Sequence, residues 1–200
     1  MNDSLPVHLM SVDHPSPLTE SELLELQQGG ARPIILVGMM GAGKTTIGRQ
    51  LAKEMNRKFI DLDHELEARC GVRVATIFDF EGEEGFRKRE SAVLDAVSRM
   101  PGIVLATGGG AILSSLNRHY LRERGTVVYL RASVDELFRR VARDRNRPLL
   151  QNSDPRGTLA RLLEQREPLY HEVAHLSFET GSAPVAPVVR QLLALLKGVA

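Results

Sequence analysis

The chain holds a single cysteine, Cys70, among its 200 residues. An internal disulfide is therefore excluded, and a small half-buried side chain is the plainest reading of that thiol. No apolar run approaches the roughly 20 residues needed to span a bilayer. The first residues show no basic segment followed by an apolar one, so no secretory leader is expected. A formal net charge of only +1 removes the overall field that would favour nucleic acid or an anionic membrane as partner. Internal repeats are absent. A reduced, cytoplasmic setting, with neither nucleic acid nor membrane as partner, is the expectation.

What is present is ordinary for one globular domain: hydrophobic residues make up 42% of the chain and charged residues 26%. Residues 1–30 differ in texture, with Pro6, Pro15 and Pro17 interrupting any pattern and a Thr19–Glu22 capping box ahead of Leu23, Leu24 and Leu26. They read as a flexible arm with one short helix and no chemistry. Residues 31–200 read as a single α/β domain. Ile34-Ile35-Leu36-Val37, Phe59–Leu62, Ile103–Ala106, Thr126–Leu130 and Leu176–Phe178 are expected strands. Helices are expected at about 44–55, 64–70, 83–100, 117–124, 133–143, 158–166 and 188–197, with Gly71 closing the second. Strands that alternate with helices imply a parallel sheet covered on both faces.

Between the first strand and the first helix lies Gly38-Met39-Met40-Gly41-Ala42-Gly43-Lys44-Thr45. The pattern G-x-x-x-x-G-K-[ST] in that setting is a phosphate loop. Its glycines let backbone N–H groups turn toward phosphate oxygens, and the helix N-terminus adds unpaired donors and partial positive charge. Gly41, Ala42, Gly43, Lys44, Thr45 and Thr46 are thus candidate ATP ligands. Lys44 reaches the β- and γ-phosphates, and the Thr45 hydroxyl is a candidate ligand of Mg²⁺.

Asp61 and Asp63 follow at the C-terminal end of the second strand, the edge that faces the ligand crevice in an open α/β sheet. If Asp61 is still extended, both side chains point to one face. Asp61 is assigned to Mg²⁺, through water, and Asp63 to an acceptor hydroxyl and its proton; Asp63 as the cap of the next helix is a compatible alternative. Arg87 and Glu90, three apart on a helix, share a face, so the carboxylate can orient the guanidinium toward a second anion; taken alone, a solvated charged helix face is the plainer alternative. Thr107-Gly108-Gly109-Gly110 ends a buried strand, where either a substrate resting on backbone N–H groups or a tight turn explains the glycines. Arg139, Arg140, Arg143, Arg145 and Arg147-Pro148 fall in or beside a polar stretch at about 143–156 that reads as a lid bringing Arg147 to the transferring phosphate, with a solvated basic loop as the alternative. Arg166 ends the helix before Pro168, where a role as C-terminal dipole partner is equally open.

Taken in order, these segments resemble the shikimate kinase family from Ile34 to the C-terminus. The resemblance rests on GMMGAGKTTIGR at 38–49, Asp61-Leu62-Asp63, GEEGFRKRE at 82–90, Thr107–Gly110, Arg147-Pro148-Leu149-Leu150 and Arg166-Glu167-Pro168-Leu169-Tyr170. It implies a P-loop NTPase-like three-layer α/β/α fold with a five-stranded parallel sheet, similar to nucleoside monophosphate kinases. It also implies ATP-dependent phosphorylation of the 3-hydroxyl of shikimate, on the route to chorismate and the aromatic amino acids. By the same resemblance Asp63 holds the shikimate hydroxyls, Arg87 and Arg166 its carboxylate, and Gly109 its ring substituents. Arg147 meets the ATP phosphates, and Arg140 lies near adenine. Thr45 stands where many members have Ser, and residues 180–184 do not align clearly. Rival readings are another small-molecule kinase, of gluconate or a nucleoside monophosphate, and a nucleotide switch. The chain lacks the N-K-x-D motif by which a GTP switch reads its base.

Overall fold

The computed structural model describes residues 31–142 and 152–197. The N-terminal arm, its Thr19–Glu22 box, most of the expected lid and Arg147 lie outside the described residues. Five strands, β1 (Ile34–Val37), β2 (Lys58–Asp61), β3 (Ile103–Ala106), β4 (Thr126–Arg131) and β5 (Leu176–Glu179), form one all-parallel sheet in the order β2-β3-β1-β4-β5. Every residue of β1 and β3 is buried, which explains why both read as unbroken aliphatic runs rather than alternating ones.

The helices are α1 (Lys44–Glu54), α2 (Leu62–Cys70), α3 (Val74–Val97), α4 (Ser115–Arg124), α5 (Val134–Val141), α6 (Pro155–Val173) and α7 (Val185–Lys197), with a 3₁₀ turn at Ala111–Leu113 before α4. α1 packs on β2 and β3 with α7 beside it, while α4 and α6 contact β4 and each other. Ile47, Leu51 and Ala52 form the buried stripe of α1, the spacing expected of a helix laid on a sheet. Ser114 and Ser133 cap α4 and α5 by accepting from the N–H groups of Asn117 and Glu136, each at 3.3 Å. Among the described residues no helix is long and apolar enough to cross a membrane.

Three expectations need correction. Helix α2 begins at Leu62, and Asp61, in extended geometry, is its N-cap, accepting from the Asp63 N–H at 3.2 Å. Asp63 therefore sits in the first helical turn, not on the strand. Helix α3 starts nine residues before Glu83, at Val74, because Ile77 is buried and supplies an apolar anchor; Gly82 interrupts it with φ 67° and ψ −172°. Helix α6 begins at Pro155, inside the expected lid, and continues through Pro168 to Val173. Arg166 is thus mid-helix, and no C-terminal dipole role applies. Pro168 removes one helical hydrogen bond, but the buried face of Leu159, Arg166, Tyr170 and Val173 holds the helix together on both sides of it.

Candidate active site

The chain leaves β1 toward β2 on one side, and leaves β3 toward β4 on the other. The crevice at the C-terminal ends of β1 and β3 is therefore the topological switch point of the sheet, where ligands bind in open α/β folds. The loop after β1 and the loop after β3 face each other across it. They enclose a cleft of about 390 Å³ lined by Met40, Gly41, Gly43, Lys44, Thr45 and Thr46, by Asp61 and Asp63, and by Thr107, Gly108, Gly109 and Arg140.

On the β1 side, Gly38, Gly41 and Gly43 have φ of 144°, 81° and 94°, left-handed values that turn successive N–H groups inward at little steric cost. Lys44 Nζ donates to the carbonyls of Gly38 and Met39 at 2.8 and 2.9 Å, so its ammonium lies across the mouth of the loop. The Thr45 hydroxyl donates to Asp61 Oδ2 at 2.7 Å. Those two oxygens are hard donors at the phosphate end of the cleft. Their number suits an ion such as Mg²⁺ that keeps waters and phosphate oxygens in its shell. His64 Nδ1 lies 3.4 Å from the other oxygen of Asp61. Arg140 donates to the carbonyl of Gly41 at 3.0 Å, to Thr180 Oγ1 at 3.2 Å and to the carbonyl of Gly181, tying the phosphate loop to the segment after β5.

On the β3 side, Arg87 Nη1 donates to Glu90 Oε2 at 2.7 Å and Nη2 to Glu83 at 3.2 Å. Glu90 is 1% exposed, and its Oε1 has no hydrogen-bond partner among the described residues. Burial pushes the Glu90 carboxyl up, against the downward pull of Arg87. Asp63 is also held above the ordinary carboxylate range, first by burial and then by the Asp61 charge, with Lys44 opposing. Both carboxylates crowd the glycine loop. A Cβ on Gly108 would lie 2.8 Å from Glu90 Oε1 and 3.0 Å from Asp63 Oδ1, and one on Gly110 would lie 2.4 Å from Arg87 Nη2. The protein's own acidic and basic side chains thus account for two of the three glycines. At Gly109 the carbonyl accepts from the Tyr170 hydroxyl at 2.6 Å and from Arg166 Nη1 at 3.4 Å.

The structure therefore gathers Lys44, Thr45, Asp61, Asp63, Gly109 and Arg140 into one cleft, with Arg87 and Arg166 reaching it through the glycine loop. Sequence reasoning named Met40, Thr107 and Gly108 only as parts of their motifs and gave Tyr170 no role of its own. Gly108 stood in plain view inside the glycine triplet; Tyr170 sits in the Arg166 motif, but nothing in its spacing shows where its hydroxyl points.

A phosphate loop at the switch point of a parallel sheet, opposite a pocket of paired carboxylates and arginines, defines an ATP-dependent kinase of small molecules. The family described as Shikimate kinase matches residues 40–197. The shikimate kinase of Bordetella avium is 66% identical over 165 residues, covering 82% of this chain and 79% of the relative. The chain belongs to the shikimate kinase family. A relative of the same name from Ralstonia nicotianae is 53% identical over 164 residues, 82% of this chain and 86% of its own length. Among solved structures, shikimate kinase from Acinetobacter baumannii in complex with shikimate is 47% identical, with a TM-score of 0.82 over 84% of this chain and 94% of its own. A gluconokinase from Sinorhizobium meliloti shares the fold at 19% identity and a TM-score of 0.53, covering 84% of this chain and 93% of its own.

Proposed function

We propose that the two sides of the cleft are the donor and acceptor halves of a shikimate kinase site. The reaction is transfer of the γ-phosphoryl group of ATP to the 3-hydroxyl of shikimate, giving shikimate 3-phosphate and ADP on the route to chorismate. The observation that carries the residue assignments is the convergence of Asp63, Arg87, Glu90 and Arg166 on the Gly108–Gly110 loop, across a single cleft from Lys44.

Gly41 to Thr46 cradle the phosphates, and Lys44 leaves its backbone carbonyls to span the β- and γ-phosphates. Thr45, and Asp61 through water, would hold Mg²⁺, which would supply charge neutralisation at the phosphates when bound. Arg140 borders the nucleotide. Arg87 and Arg166 grip the shikimate carboxylate, and Glu90 aims the Arg87 fork. Asp63 accepts a hydrogen bond from the 3-hydroxyl. As the new O–P bond forms and the bond from the γ-phosphorus to the bridging oxygen of ADP breaks, Asp63 takes the hydroxyl proton. A carboxyl raised above its usual range is a better proton acceptor than an exposed one. Arg147 carries its assignment to the transferring phosphate from the Arg-Pro-Leu-Leu motif, and the segment around it acts as the lid. Positioning and electrostatics provide the catalysis, with no covalent enzyme intermediate. The enzyme works as a cytoplasmic monomer.

A coupled ADP-release assay tests the reading with shikimate, gluconate and nucleoside monophosphates as acceptors. Shikimate alone is expected to stimulate release, and stimulation by another acceptor in its place would sink the assignment. Asp63→Asn is expected to lower kcat about 10²- to 10⁴-fold while calorimetry shows ATP binding retained. A large loss of ATP affinity would instead place Asp63 on the metal.

A further inference from the structure

The Tyr170 side chain is fully buried in α6. It stacks on Tyr129 of β4, ring centroids 4.9 Å apart and planes 22° from parallel. From there its hydroxyl emerges between the two loops of the cleft, donating to the Gly109 carbonyl at 2.6 Å and lying 3.7 Å from Met39 Sδ of the phosphate loop. The same carbonyl accepts from Arg166, one helical turn earlier, at 3.4 Å. Gly109 in turn rests on the donor side, where a Cβ would stand 3.5 Å from the carbonyl oxygen of Gly38 and the nitrogen of Met40.

A buried hydroxyl needs a partner, but it does not need this one, which fixes the backbone of an acceptor contact. The peptide unit is planar, so holding the Gly109 carbonyl holds the plane that joins Gly109 to Gly110. Glycine has the widest backbone freedom of any residue, and without that restraint the direction of the Gly110 N–H, which lies in that plane, is weakly determined. We propose that Tyr170 is a positioning residue for the acceptor. Its hydroxyl sets the Gly109 peptide and, through the shared carbonyl, the Arg166 guanidinium, while touching neither substrate. Burial raises the phenol far above its usual range despite the nearby Arg166 charge, so the hydroxyl keeps its proton and acts as donor. The proposal rests on the assignment of Gly109 and Arg166 to the acceptor made above.

The test is Tyr170→Phe, which keeps the ring and its stacking and removes one oxygen, with Tyr129→Phe as control. Steady-state kinetics give KM for shikimate and for ATP separately. In Tyr170→Phe the shikimate KM is expected to rise about five- to tenfold, as befits one lost buried hydrogen bond, with the ATP KM within about twofold of the unmodified enzyme. Tyr129→Phe is expected to leave both unchanged. In ¹⁵N–¹H spectra the Gly109 and Gly110 amides are expected to move in the first variant and to stay in the second. An unchanged shikimate KM in Tyr170→Phe overturns the proposal. So does a parallel rise in both KM values, which would mean general loosening of the fold. If the unmodified enzyme shows no shikimate-dependent ADP release, the acceptor assignment itself has failed and the proposal falls with it; that outcome is read before any variant is made.

Discussion

At Gly110 the absence of a side chain decides where one of the largest side chains lies. The Arg87 guanidinium occupies the space a Cβ would fill, with Nη2 at 2.4 Å and both Cζ and Nη1 at 2.8 Å from that point. Gly110→Ala must therefore push the guanidinium off the loop. Charge-assisted hydrogen bonds are worth about 1.5–3 kcal/mol, so the shikimate KM should rise at least about tenfold while the ATP KM holds; separate titration of the two substrates checks this. The glycines were legible in the sequence as a sign of close approach, but the approaching atoms were not. Spacing on a helix brought Arg87 and Glu90 to one face, yet the near-complete burial of Glu90 depends on α2 and the loop after β3 meeting α3, which no local pattern encodes. Asp61 and Asp63 were legible as a pair at a strand end. Their division into helix cap and buried acid was not, because it turns on whether Leu62 continues the strand or opens the helix. Tyr170 escaped notice because a tyrosine on an amphipathic helix is ordinarily core, which its ring is; only its oxygen belongs to the site.

At the scale of elements, α3 and α6 each ran past an expected boundary, for opposite reasons. Gly82 looked like a boundary, yet helical turns flank it on both sides. Phe78 stacks on Phe86 across it, centroids 4.5 Å apart, and Arg89 binds Glu81 through Nε and Nη2 at 2.8 and 2.6 Å. Pro168 looked like a stop, yet tertiary packing carried α6 past it. Such overrides of local preference by packing are why element ends are harder to read than elements. The acceptor loop is also held from its far end. Asn117 Nδ2 donates to Ala111 and Arg118 Nη1 to Ile112, each at 2.9 Å, while Arg118 Nε meets Glu172 of α6 at 2.8 Å. Strand β5 enters the sheet through a different device, His175 Nδ1 accepting from the Val127 N–H at 3.1 Å. Only an unprotonated Nδ1 accepts. Partial burial, followed by the charges of Arg32 and Arg122 and against that of Glu123, holds the ring below its ordinary 6.5. The unfolded chain therefore takes up this proton first as pH falls. The contribution of His175 is complete above about 6.5 and declines as pH drops from there toward the folded value. His175→Asn keeps an acceptor that does not titrate. The difference in urea midpoint between the two proteins should change across that window and stay level above it.

For the whole molecule, the parallel sheet, its five strands and the phosphate loop were legible because each rests on short-range signals: aliphatic runs, helical periods and glycine spacing. The strand order was not, since nothing local says that β1 ends up between β3 and β4. The described fold begins with Ala31, whose carbonyl accepts from the Gly102 N–H at 2.7 Å, and Arg32, whose guanidinium reaches the Glu123 carbonyl at 2.8 Å. A chain beginning at residue 31 keeps these bonds and every residue assigned to the site. Its kcat and both KM values should stay within about twofold of the full chain, measured in the same coupled assay. Tyr129 and Tyr170, finally, form a stacked pair whose inner hydroxyl belongs to the acceptor wall, in a protein with three tyrosines and no tryptophan. Near-ultraviolet emission from the native enzyme consequently comes from tyrosine alone. Acceptor binding can then be followed optically in the unlabelled protein, provided the nucleotide, which absorbs in the same region, is added last.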